Sequence, residues 1–450
     1  MTILSSDIKF FAAQYPTDDA YGGGLMSGTV VQDGVSSNLF PVSSEIDMSL
    51  GVVQLRKVYA AVLSENNDAL VGASVNVYTP PSDSLYEFAL FKWGDKRTTR
   101  AEAAAALAAF PYAVGSGGGG VTGSSNPYTI SNASSLQVGD RILLAVGGGT
   151  PIVTAVAMVN AISGSNFTLS IYYLGGSASF FDTWYPAKEN PAAAKVCTAV
   201  ETSDAVSASD TVIPLDRLEA QVIPALPTYP LSARGLDGSG LRFSGGLAPI
   251  FRGGEIVLIR NAAGSVSEPV AINRVDYQNG TIELLYPLEN AYAAGSIVTP
   301  LIDLGDMQAQ VGISFSQQTW TRTFSDTIIG NPIGANFNVV SNPITLINEG
   351  AETERWAIVF TNATDFKLIG ETLGQIASGS TATDFSPINP ITNQPYFTIP
   401  SAGWGTGWLA GNVLRFNTTG ARAPFWAMRT TTPTPTASTD SALMQLRGSF

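Results

Sequence analysis

Apolar side chains in this chain recur mostly at a spacing of two, in short runs separated by clusters of Gly, Pro, Ser, Asn and Asp. Strands with one buried face have that pattern. It predicts an all-β protein, mainly antiparallel, built from several β-sandwich or β-barrel domains. Residues 50–63 (LGVVQLRKVYAAVL) alternate imperfectly, as a strand half buried on one side would, and 71–78 and 86–93 supply two more. Helical periodicity is confined to 98–110. There Thr98 or Thr99 offers an N-cap, a run of alanines follows, and Pro111 stops the helix. One short Ala-rich helix is therefore expected.

The glycine-rich stretch 116–125 (SGGGGVTGSS) reads as a flexible connector. It lacks the Gly-Lys-Ser/Thr ending of a phosphate loop. Beyond it one unit recurs. In the first copy Gly139-Asp140 opens Arg141-Ile142-Leu143-Leu144, and a hairpin follows over 159–171. In the second, Gly254-Glu255 opens Ile256-Val257-Leu258-Ile259, and the hairpin spans 272–284, with Asn279-Gly280 as its turn. Repetition of a glycine–acid entry, a strand and a hairpin predicts two related barrel-like modules. Proline-bearing segments at 185–194 and 223–230 are expected as linkers or edges, because proline cannot donate within a central strand.

From about residue 308, strands are expected at 311–315, 319–324, 344–348, 355–361, 396–399, 413–417, 425–430 and 443–447. Trp356, Ile358 and Phe360 share one face. A Pro/Thr spacer at 430–438 precedes the last strand, which either ties back to its own domain or pairs with a neighbouring subunit. The expected divisions are an N-terminal β domain over 1–115, small β modules over 116–200 and 201–305, and a C-terminal β-sandwich over 306–450.

Charged residues make up only 13% of the chain, against roughly a quarter in an average soluble domain. A surface met by neighbouring proteins needs less charge than one left in water, so an assembly subunit is favoured. The net charge of −13, with no Lys/Arg-rich run, argues against nucleic acid as a partner. The single cysteine, Cys197, lies in an apolar-alternating stretch and is expected to be a buried small hydrophobe in a chain folded in a reducing cytoplasm. The first residues do not read as a signal peptide, and no apolar run suggests membrane insertion.

Histidine is absent, which removes Ser-His-Asp and Cys-His arrangements and most zinc sites. No catalytic residue, metal ligand or cofactor is expected. Asp18-Asp19 reads as a turn beside Gly22-Gly23-Gly24. Glu352 and Glu354 read as alternate residues on an exposed strand face, since a glycosidase would need an opposing acid about 5–10 Å away. Trp404 and Trp408, on the Gly-rich loop 403–408, are the candidate site residues. They either stack on sugars or anchor an interface between domains or subunits, and the packing use is favoured. Trp320 and Trp426 are expected in the core.

Two groups of stretches carry a resemblance. One comprises Asp7-Ile8-Lys9-Phe10-Phe11, Gly22–Gly28, Asn38-Leu39-Phe40-Pro41 and Leu55-Arg56-Lys57-Val58-Tyr59-Ala60. The other comprises Arg355–Phe360, Ile369-Gly370, Gly407–Thr418 and Ala423-Pro424-Phe425-Trp426. Together they resemble virion structural proteins encoded in the tail modules of Mu-like and other tailed bacteriophages. The resemblance covers about a third of the chain, at both ends, and carries no catalytic motif. It implies a non-enzymatic tail or baseplate component of the virion, assembled in the host cytoplasm. Such a component works through contacts with its own copies, as a homo-oligomer, and with other tail proteins. The alternatives are a receptor- or carbohydrate-binding virion module built on Trp404 and Trp408, and a polysaccharide depolymerase.

Overall fold

The computed structural model describes residues 3–432 and 441–449, apart from 36, 110–111, 124, 126, 139, 147–151, 175–180, 191, 222–246, 277–278, 313–315, 326 and 328. Strands take 48% of the chain and helices 5%, and the sheets are antiparallel, as the alternation predicts. The linker expected at 223–230, Pro111, Gly139 and most of the 430–438 spacer lie outside the described residues.

Strand Val52–Val62 organises the whole. Its sheet runs Gly23–Val30, Ile8–Tyr15, Val52–Val62, Arg422–Thr431, Tyr86–Phe91. Val52–Val62 pairs with Arg422–Thr431 in unbroken register from Val52↔Thr431 to Ala61↔Arg422. A second sheet sets Leu70–Thr79 between Ile302–Met307 and Leu443–Ser449. The N-terminal unit therefore does not end at 115: it also takes Ile302–Met307, Arg422–Thr431 and Leu443–Ser449. The last strand does tie back onto its own chain, but onto Leu70–Thr79 rather than onto the C-terminal sheet. Val52–Val62 is also buried on both faces, not one. Val58, Ala60 and Val62 pack with Val75, Val77 and Phe425, Leu55 packs with Phe91 and Trp426, and Tyr59 and Ala61 pack with Phe11 and Met26. Two covered faces explain why its alternation is imperfect.

The helix forms at Arg100–Ala108 with Thr99 as N-cap. Glu102 N donates to Thr99 Oγ1 at 3.4 Å and Thr99 N to Glu102 Oε2 at 2.7 Å, a capping box that ties both orphan donors. Ala103 and Ala106 bury against the central sheet, where only a methyl group leaves the backbone this close. A six-residue helix at Glu45–Leu50 was not evident from the sequence.

The repeat is real at the level of topology. Among the described residues, the strands Gly119–Thr122, Tyr128–Ile130, Arg141–Val146, Ile152–Ser163, Asn166–Leu174 and Thr183–Glu189 close into a ring. In the second unit Val200–Glu201, Val212–Pro214, Ile256–Arg260, Ser267–Asp276, Thr281–Leu284 and Ile297–Pro300 follow the same Greek-key order. The bridge Thr202↔Leu215 joins its two ends. The acid that opens the third strand does the same work in each. Asp140 Oδ2 accepts from Gln137 N at 2.7 Å and its carbonyl from Val159 N. Glu255 Oε2 accepts from Arg252 N at 3.1 Å and its carbonyl from Ile272 N. A bulge follows at matching places, between Val159 and Ala161 and between Ile272 and Arg274.

The glycine-rich 116–125 stretch is not a connector: Gly119–Thr122 is a barrel strand. A Cβ on Gly118 would overlap the Trp184 carbonyl oxygen, and one on Gly119 that of Ser131, so close strand approach demands glycine there. The proline at 186 also lies within a strand, Thr183–Glu189, where the chain turns from the barrel to pair with Tyr112–Val114. That pair forms a stalk, and Ala194 N donates to Ala106 O at 2.9 Å where the chain re-enters the body.

In the C-terminal region a sheet runs Gln310–Val311, Asn412–Thr419, Glu354–Phe360, Asp365–Gly370, Gly374–Ser380, with Ser316–Thr319 also on Asn412–Thr419. Residues 320–324 are not a strand. Trp320 is only half-buried, edge-on to Phe324, so it does not belong to the core. The segments 344–348 and 396–399 make isolated bridges, such as Thr345↔Thr398, rather than strands.

Candidate functional site

Trp404 and Trp408 come together on the inner side of the C-terminal sheet. The turn Ser401–Gly403 delivers Trp404, whose backbone bridges Phe337. Trp408 is 2% exposed and stacks on Phe360 with centroids 4.2 Å apart and planes 8° apart. Trp404 stands edge-on to Trp408 at 5.5 Å and to Phe337 at 4.9 Å, the favoured geometry for rings with opposite face and edge charge. The loop glycines serve this packing. A Cβ on Gly403 would overlap the Phe337 ring, one on Gly405 the Asn336 side chain, and Gly407 has φ +91°. Trp408 thus offers no face to a sugar, which corrects the sugar-stacking use of the pair. Both rings pack with the core of the C-terminal region, Trp408 within it and Trp404 partly buried against it.

Asp18, Glu352 and Glu354 are each engaged in an ion pair. Asp18 is more than a turn acid. It grips Arg56, itself 3% exposed, through Nη1 at 2.6 Å and Nη2 at 2.8 Å, with Arg100 3.6 Å away. Burial works to raise its pKa, but the Arg56 hydrogen bonds and the charges of Arg56 and Arg100 outweigh this and hold it below the ordinary value. Glu352 and Glu354 do not sit on an exposed face. Glu352 pairs with Arg422 at 2.7 Å, and buried Glu354 pairs with Lys96 at 2.9 Å and accepts from Thr372 N at 2.8 Å. Both pairs tie the C-terminal sheet to the central one.

Asn348 adds a third tie that carries no sequence signature. It is fully buried, donates from Nδ2 to Ser64 Oγ at 2.9 Å and Asp68 O at 2.8 Å, and accepts from Ala309 N at 2.7 Å. Lys57, also buried, donates to the Asp95 carbonyl at 2.8 Å and to that of Thr98 at 3.1 Å, with Trp426 5.7 Å away. Burial pushes its pKa from 10.5 down to about 8, against the pull of Asp95 and Glu102. Cys197 is buried and bridges Leu90 through its backbone; burial raises its thiol pKa, and it packs as the small hydrophobe expected.

Among the described residues no group of three His, Cys, Asp or Glu side chains is placed to hold a metal ion, and no helix is long and apolar enough to cross a membrane. The chain matches no protein-family model and no curated protein.

Proposed function

We propose that this chain is a structural subunit of a tailed-phage virion, a tail or baseplate component acting through contacts with its own copies and with other tail proteins. One observation carries the reading. The two groups of stretches that resemble tail-module virion proteins lie hundreds of residues apart, yet one piece of each, Leu55–Ala60 and Ala423–Trp426, lies on adjacent strands. Lys57 pairs with Trp426, Val58 with Phe425 and Tyr59 with Pro424, while Phe11 pairs with Tyr59 on the other side. One piece of each group thus meets in the central sheet, while Arg355–Phe360, Ile369-Gly370 and Gly407–Thr418 lie in the C-terminal sheet and its core.

Glu354 and Glu352, the acids weighed for the depolymerase alternative, are held in ion pairs with Lys96 and Arg422. The carbohydrate-binding alternative has lost Trp408 to the core. Quantitative mass spectrometry of purified particles from the encoding phage tests the proposal. The chain is expected in multiple copies per particle, and its absence from purified particles would sink the reading.

A further inference from the structure

Leu443–Ser449 closes the second sheet from its edge, and among the described residues it pairs with Leu70–Thr79 alone. Its ladder is interrupted twice, between Leu443 and Met444 and between Arg447 and Ser449, and none of its seven residues is fully buried. Asn76 and Gln445 face each other across it, yet Asn76 Oδ1 and Nδ2 and Gln445 Oε1 are buried without a hydrogen bond. A buried polar group left unmet costs about 1–3 kcal/mol, so the strand is held loosely.

The slot is nonetheless shaped for this segment. Met444 and Leu446 pack on the core formed by Val75, Val77, Ile302 and Leu304. A Cβ on Gly448 would come within 2.7 Å of the Leu70 side chain, so glycine is favoured at that register. Left empty, the slot would open that side of the core to water, and the strand that fits it is this chain's own sequence.

Two connections join this sheet to the central one at the same place. Six residues lead from Thr79 to Tyr86. Ten residues separate Thr432, whose N donates to Leu85 O at 2.8 Å, from Leu443, which pairs with Thr79. Val75 and Val77 share a core with Phe88 and Leu90, and sheets packed face to face lie about 10 Å apart. Ten residues of a sequence that includes Pro433 and Pro435 reach about 30 Å when extended. The return connection is long enough to enter the same slot on an adjoining molecule. Its prolines disfavour doubling back over a short gap, and a slot at the far end of an extended path is met without that bend.

We propose that in the assembled state each chain gives Leu443–Ser449 to the Leu70–Thr79 edge of a second copy and receives the same strand from a neighbour. Exchange keeps every contact of the ladder, so it costs little. An assembly supplies the neighbouring slots at high local concentration. The inference rests on the assembly reading above and names the segment that links the copies.

Cysteine pairs test it in a Cys197→Ala chain, which has no other thiol. Ser74 and Arg447 are directly opposed and only partly buried. Ser74→Cys and Arg447→Cys are each expected to keep the wild-type melting profile and to lie within disulfide reach. The two single variants carry different tags and are produced together in one host, so that exchange can occur as they fold. Mild oxidation is expected to give a bond joining the two tags, at twice the 47.1 kDa chain mass. It should capture about half of the Ser74→Cys chains, the share that random exchange in an equal mixture gives. A chain carrying both substitutions is expected to give covalent multimers on a denaturing gel. The proposal is overturned if the double variant closes only on itself and the single variants stay unlinked, or if no bond forms in either. Chains found in particles yet closed on themselves sink the exchange and leave the virion reading standing. Mixed disulfides in a chain absent from particles do the reverse.

Discussion

The two barrels wind alike but are held differently. The second shares a core with the central sheet: Val257, Ile259 and Ile213 pack in one cluster with Phe91, Ala106 and Trp426. The first keeps its own core around Trp184, Ile142 and Phe167. It joins the body through the stalk of Tyr112–Val114 on Thr183–Glu189 and through the contact from Arg274. One module has been absorbed and the other hung from it. Cooperative units follow shared cores, so the second barrel is expected to unfold with the body and the first by itself.

The sharpest way to break this comparison is to cut one aromatic anchor on each side. Trp426 stacks on Phe91 at 6.3 Å, and Trp426→Ala is expected to cost about 3–5 kcal/mol, read as a lowered main transition in calorimetry. Trp184, whose Nε1 donates to Ser131 O at 2.8 Å, is equally buried. Trp184→Ala is expected to lower only a smaller, separate transition.

Next in size is Asn348→Ala, which strips partners from Ser64, Asp68 and Ala309 and is expected to cost about 1–3 kcal/mol. Limited proteolysis would show earlier cleavage at the junction of the C-terminal and central sheets, with the first barrel unaffected.

A pH series sharpens the comparison further. Lys57 holds its proton to pH 10.5 when unfolded but only to about 8 when folded. Its burial penalty is therefore present below pH 8 and relieved as pH rises from 8 toward 10.5. Tyr59, Tyr292 and Tyr396 are raised above 10.0, each first by burial. Stability is lost above pH 10, where the unfolded tyrosines ionise. The main transition should climb from pH 8 to near 10 and then fall, whereas in Lys57→Met the climb is lost. The smallest effect belongs to Arg274→Ala. It breaks a partly exposed pair with Glu283 and the link to Val138, for about 1 kcal/mol or less, and should loosen the first barrel without moving the main transition.

The repeat was legible because its signal is local: a glycine, an acid and a hairpin within a few turns of chain. The insertion of Arg422–Thr431 beside Val52–Val62 was not, since pairing over more than three hundred residues leaves no mark on either sequence. Separation along the chain also hid the partners of Glu352 and Glu354, 70 and 258 residues away, which by alternation alone resemble an exposed strand. Glycines 117–120 misled because flexibility and close strand approach select the same residue. Trp404 and Trp408 do meet as a pair; that they face inward depends on Phe337 and Phe360, far off in sequence.

Hydrogen exchange on the Trp184→Ala chain tests the unequal attachment of the barrels most directly. The account predicts loss of amide protection confined to the strands from Gly119–Thr122 to Thr183–Glu189, with Ile256–Arg260 and Val52–Val62 as slow as in the wild type. Loss that spreads to those two strands would contradict it.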